Sequence, residues 1–116
     1  MVKSFKTFLK HAGKDFYNQS VNPPVVRAST LIFKSIDDIR KTQNKSNKNP
    51  IGGHFTYGRE GSSTTFALQQ MLRKIEESYQ VFLTPTGFGS VFLAIFSVVR
   101  PGNEILLSDP IYSPTR

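Results

Sequence analysis

Two short apolar runs, Val81-Phe82-Leu83 and Glu104-Ile105-Leu106-Leu107-Ser108, bracket a glycine turn and a mostly apolar segment from Ser90 to Arg100. In chain order this reads strand, glycine turn, helix, strand: the βαβ unit of a parallel sheet, whose strands are apolar throughout because helices cover both faces. Pro101-Gly102 stops the helical segment. Two strands do not complete such a sheet, and a helix apolar on every side needs more partners than this chain supplies. The sequence is therefore expected to be the opening portion of a larger α/β domain, with an incomplete parallel-rich sheet and helices on both faces.

Upstream, Leu68, Met71, Leu72, Ile75 and Tyr79 fall on one stripe of an amphipathic helix capped by Ser62 or Ser63. The segment before it adds little core. Val21-Asn22-Pro23-Pro24-Val25-Val26 is extended, since adjacent prolines fix φ and remove two donors. A short helix is expected from Ser35 to about Lys41, with Ser35 as cap and Asp37 and Asp38 in its first turn. Thr42 to Gly53, rich in Asn, Lys and Ser, reads as a solvated loop. Phe5, Phe8, Leu9 and Phe16 sit at loose helical spacing in a basic arm. Residues 1–60 are thus expected to form an extended arm, short helix and loop, and residues 61–116 the first part of the α/β domain.

The formal charge is +7. Residues 1–50 hold ten basic and three acidic side chains and residues 51–116 five of each, so the whole excess lies in the arm and loop. A nucleic-acid binder is the rival reading this suggests, although no recognised binding motif accompanies the lysines. The absence of cysteine excludes disulfides, cysteine zinc sites and thiol nucleophiles. Lysines interrupt the opening residues before any signal-peptide core can form, and the longest apolar run, Val91 to Val99, is about half of the ~20 residues a membrane crossing needs. A cytoplasmic protein with no membrane partner is expected. His11 and His54 lack a second ligand at metal spacing, so no metal site is expected.

Three places invite a ligand. Thr86-Gly87-Phe88-Gly89-Ser90 lies between strand and helix, where free amides and the positive helix end favour an anion, although a plain connecting turn fits the same residues. Tyr57-Gly58-Arg59-Glu60-Gly61 sets a phenol and a guanidinium two residues apart on a glycine-flanked loop, able to reach one oxyanion or to lie simply on the surface. Tyr112 lies beyond the carboxyl end of the second strand, where ligands approach open α/β sheets and a ring can stack on another or just cover the sheet end.

Together, Asn22-Pro23-Pro24-Val25-Val26-Arg27-Ala28-Ser29-Thr30, Tyr57-Gly58-Arg59-Glu60-Gly61-Ser62-Ser63-Thr64-Thr65-Phe66-Ala67-Leu68-Gln69, and Pro101-Gly102-Asn103-Glu104 through Tyr112-Ser113-Pro114-Thr115-Arg116 resemble the amino-terminal part of the Cys/Met-metabolism family of pyridoxal-phosphate enzymes. The resemblance covers roughly residues 18 to 116. Within the family it is closest to the cystathionine β-lyases, on Gly58 and the Gly61-Ser62 context; γ-synthases and γ-lyases usually read Tyr-Ser-Arg followed by Asn-Pro-Thr. Two positions depart from the family pattern: Ser63 stands where proline is usual, and Gly89 where alanine is common.

The resemblance implies the large domain of fold type I and pyridoxal 5'-phosphate as cofactor. It assigns Tyr57 and Arg59 to the pair that holds the cofactor phosphate of a neighbouring subunit. Gly87 and Phe88 match the turn whose amides bind the phosphate within the same subunit, and Tyr112 the tyrosine stacked on the pyridine ring. The Schiff-base lysine, the aspartate on the ring nitrogen and the arginine on the substrate carboxylate are expected beyond Arg116, so no catalytic residue is expected in this chain. The implied reaction is carbon–sulfur cleavage of cystathionine to homocysteine, pyruvate and ammonia, in transsulfuration and methionine biosynthesis, by a homo-oligomer built as a tetramer of dimers. Alternatives are a fragment of a γ-synthase or γ-lyase, or a non-catalytic module docking on a full-length homologue.

Overall fold

The computed structural model describes residues 4–11 and 21–116; the expectation for Phe16 lies outside them. The chain divides into two compact units, one running up to Val81 and one from Phe82 to Arg116.

The first unit holds three helices, α1 (Phe5–His11), α2 (Ile36–Lys48) and α3 (Ser63–Ile75). Ser35 caps α2: its backbone is extended, and its side chain accepts from the Asp38 N–H at 3.2 Å. Asp37 and Asp38 then face the positive end of the helix, and Lys45 and Lys48 the negative end. The helix does not stop at Lys41 as expected. It runs on through most of the presumed loop because nothing between Thr42 and Lys48 forbids it. The Thr42 hydroxyl donates to the Asp38 carbonyl at 2.9 Å instead of competing for a turn, and the first breaker is Pro50, just past the Asn49 cap.

Helix α3 begins with a capping box. The Thr65 hydroxyl accepts from the Ser62 N–H at 2.8 Å, and the Ser62 side chain accepts from the Thr65 N–H at 3.5 Å, so two otherwise orphaned donors are satisfied reciprocally. Met71, Leu72 and Ile75 are half-buried on its stripe, and Ala67 is the one buried residue among those described. Tyr79 does not share the stripe. The helix ends at Ile75, Glu77 turns to φ 49°, and Tyr79 lies beyond, exposed. The Phe66 ring meets Phe55 edge-on, centroids 6.3 Å apart. Lys74 Nζ lies 4.3 Å over the Phe8 ring, which ties α1 to α3.

The second unit is α4 (Gly87–Val98) and a 3-10 turn, Ser113–Thr115, that packs on it. Thr86 is the cap, its side chain accepting from the Gly89 N–H at 3.0 Å. The helix therefore starts at Gly87, three residues earlier than expected, and the glycine turn is its first turn. Neither expected strand forms. Among the described residues there is no strand, only one antiparallel bridge, Thr30 to Tyr57. The physical reason is the lack of neighbours: a strand exists only by pairing, and residues 81–83 and 104–108 find no partner backbone here. None of their side chains is buried, Leu106 is fully exposed and Phe82 largely so, and α4 has no buried residue. No helix among the described residues is long and apolar enough to cross a membrane.

Candidate functional site

The Tyr57–Gly61 loop is built by docking against the extended Asn22–Thr30 segment. The Gly58 N–H donates to the Ser29 carbonyl at 2.7 Å, and the Ser29 and Tyr57 hydroxyls share a hydrogen bond at 3.1 Å. The chains run so close that a Cβ on Gly58 would fall inside the Ala28 carbonyl, so only glycine fits. Thr64, in the first turn of α3, clamps the other end of the segment. Its hydroxyl accepts from the Val26 N–H at 2.8 Å and donates to the Pro24 carbonyl at 2.9 Å. Pro24 has no N–H of its own and lies in an extended run, so its carbonyl and the Val26 amide need partners from outside that run. Two sequence motifs whose hydrogen bonds span 28 to 40 residues are thus one structural piece.

On that piece Tyr57 and Arg59 come together. The Arg59 guanidinium lies 5.0 Å over the Tyr57 ring. A guanidinium held over a ring by cation–π attraction still carries five N–H donors that an anion can use. Glu60, a residue the sequence reading did not single out, shapes the turn. Its Oε2 accepts from the Thr56 N–H at 3.1 Å, the Thr56 hydroxyl at 3.2 Å and the Tyr57 N–H at 3.3 Å. The Thr56 N–H, most of all, holds the Glu60 carboxyl below its ordinary range; desolvation opposes this, while the Thr56 hydroxyl, the Tyr57 N–H and the Arg59 charge add to it. The signal that could have found it is a carboxylate three and four residues after two amides at a glycine turn, the spacing of a side chain folding back on its own loop.

In the second unit, Gly87 and Phe88 are the first two residues of α4, where N–H groups have no carbonyl of their own helix to bond. The Thr84 and Ser90 hydroxyls are already committed. Thr84 donates to the Thr86 carbonyl at 2.8 Å, and the Ser90 and Thr84 hydroxyls share a bond at 2.5 Å, so Ser90 supplies that proton. The donors left for a ligand are the two backbone amides and the Thr86 hydroxyl, whose oxygen accepts from Gly89 while its proton stays available. A Cβ on Gly87 would meet nothing. Tyr112 leads into the 3-10 turn packed on α4, with its side chain 70% exposed. Taken unit by unit, the phenol and guanidinium of the first and the two helix-end amides of the second are each donors of the kind that suits a phosphate monoester.

The Cys/Met metabolism PLP-dependent enzyme family matches residues 6–116. The chain belongs to that family. Its members depend on pyridoxal phosphate. Among curated relatives, a cystathionine beta-lyase of Haemophilus influenzae is 38% identical over 112 residues, covering 95% of this chain and 27% of the relative. An L-alanine/L-glutamate racemase of Wolbachia pipientis is 28% identical over 92% of this chain and 28% of its own length. A cystathionine gamma-synthase of Mycobacterium bovis is 27% identical over 90% of this chain and 24% of its own length. The chain spans about a quarter of the length of the curated relatives it matches. The family's fold type I implies a sheet, and the described residues contribute none of its strands.

Proposed function

We propose that this chain is the phosphate-anchoring portion of a cystathionine β-lyase-like carbon–sulfur lyase. Tyr57 and Arg59 would hold the phosphate of pyridoxal phosphate seated in a neighbouring subunit, and the Gly87 and Phe88 amides that of the cofactor in their own. Tyr112 would lie against the pyridine ring. The bound cofactor supplies an electron sink for bond cleavage at the substrate's β-carbon. This chain's residues bind and orient; none is assigned a proton transfer. The observation that carries the reading is the interlocked loop that presents Arg59 stacked on Tyr57, built from the same motifs that mark the family. The β-lyase assignment is favoured by the 38% identity to such an enzyme against 27–28% to the gamma-synthase and the racemase. It draws further support from Gly58, whose lack of a side chain the close approach of Ala28 demands.

Expected of the purified chain with pyridoxal phosphate and cystathionine is no pyruvate release above a protein-free control, because a phosphate anchor without a proton-transfer group does not turn substrate over. Sustained pyruvate release would contradict the anchoring role. Mixing with a full-length homologous β-lyase subunit tests assembly separately, by co-elution.

A further inference from the structure

A carboxylate next in sequence to a phosphate-binding arginine is an electrostatic liability, since it repels the ligand and competes for the guanidinium. Glu60 occupies that place beside Arg59, yet Arg59 forms no ion pair among the described residues and lies instead over the Tyr57 ring. Glu60, although exposed, folds back on its own loop: Oε2 gathers the Thr56 N–H, the Thr56 hydroxyl and the Tyr57 N–H. The Glu60 N–H closes the same turn on the Tyr57 carbonyl at 3.0 Å. Both ends of the Tyr57–Glu60 turn are thereby tied through one residue, and Gly58 and Arg59 between them have their backbone set.

We propose that Glu60 is the positioning residue of the phosphate clamp, its side-chain oxygen fixing the turn that stacks the Arg59 guanidinium on the Tyr57 ring. This rests on the reading of Tyr57 and Arg59 as phosphate ligands. What matters is an acceptor oxygen at the right reach, not the negative charge, so the two contributions of Glu60 to ligand binding oppose each other. Holding the turn strengthens the clamp, and the charge weakens it. Glu60→Gln keeps an acceptor at the same reach and removes the charge. Glu60→Asp keeps the charge and draws the oxygen back by one methylene. Glu60→Ala removes both.

The full chain and these three variants are compared by NMR, reading the ring-current shift of the Arg59 Cδ protons and the Thr56 and Tyr57 amides, with inorganic phosphate as the titrant. The ring-current shift is expected to persist in Glu60→Gln and to be lost in Glu60→Asp and Glu60→Ala, while the α3 amides hold their positions. Phosphate is expected to bind Glu60→Gln at least as tightly as the parent chain and Glu60→Ala several-fold more weakly. A stacking shift that survives in Glu60→Ala, or phosphate binding that strengthens there, would overturn the proposal. If Glu60→Ala loses the α3 amide pattern, the Gln and Asp pair decides alone: stacking kept in Asp and lost in Gln would overturn it. If phosphate leaves Arg59 untouched in the parent chain, the ligand reading fails, and the ring-current comparison still decides what Glu60 does.

Discussion

Replacing Gly58 by alanine is expected to be the most damaging glycine-to-alanine change among the described residues. The new Cβ would fall inside the Ala28 carbonyl and close to that of Ser29, and both are backbone, so no rotamer change can relieve the clash. Overpacking of this kind costs about 1–3 kcal/mol, and the displaced Gly58 N–H to Ser29 hydrogen bond adds about 1 kcal/mol. The loss falls on the first unit, where it would free the Asn22–Thr30 segment and separate Tyr57 from Ser29. Against a total stability of order 5–15 kcal/mol, that is a large fraction. Gly87→Ala is the internal comparison, because its Cβ would meet nothing. Denaturant midpoints should fall clearly for Gly58→Ala and hold for Gly87→Ala; equal behaviour of the two would refute the close-approach account.

The second large effect is expected at Thr64. Valine is nearly isosteric with threonine, so Thr64→Val isolates the hydroxyl. The Val26 N–H loses its acceptor and the Pro24 carbonyl its donor. At about 1 kcal/mol for each bond the loss is about 2 kcal/mol, moderated because water reaches both groups. Exchange of the Val26 amide reports the clamp directly. It should quicken in Thr64→Val and return towards the parent rate in Thr64→Ser, which restores the oxygen. Unchanged exchange in Thr64→Val would show that the segment is held by something other than this hydroxyl.

How much of this was legible in the sequence depended on the range of the interaction involved. Ser35 and Ser62 cap helices through amides three residues away, and such caps were readable because everything they need is local. That a phenol and a guanidinium share the Tyr57–Gly61 loop, and that a glycine turn lies at a helix start, was legible by type and spacing. The extension of α2 through Asn-Lys-Ser composition was not, because polarity alone does not break a helix and the first breaker stood further on, at Pro50. Residues 81–83 and 104–108 carry the apolar pattern of buried strands, and that pattern is a demand for partners, not a guarantee of them. Exposed Phe82 and Leu106 record that unmet demand. The roles of Thr64 and Glu60 were hidden for the opposite reason. Each is an ordinary polar residue until the chain folds back: one then closes a gap of forty residues to Pro24, the other a turn of four.

The central claim is that the family's phosphate donors are present and presentable in this chain. Its most direct test is an NMR titration of the chain with pyridoxal phosphate, following the Gly87 and Phe88 amides and the Arg59 guanidinium, and repeated with Arg59→Ala. The account predicts saturable shifts at those positions, with the Tyr57–Gly61 response lost in Arg59→Ala and the Gly87 and Phe88 response retained. Shifts confined to the lysines of residues 1–50, or a Tyr57–Gly61 response indifferent to Arg59, would contradict it.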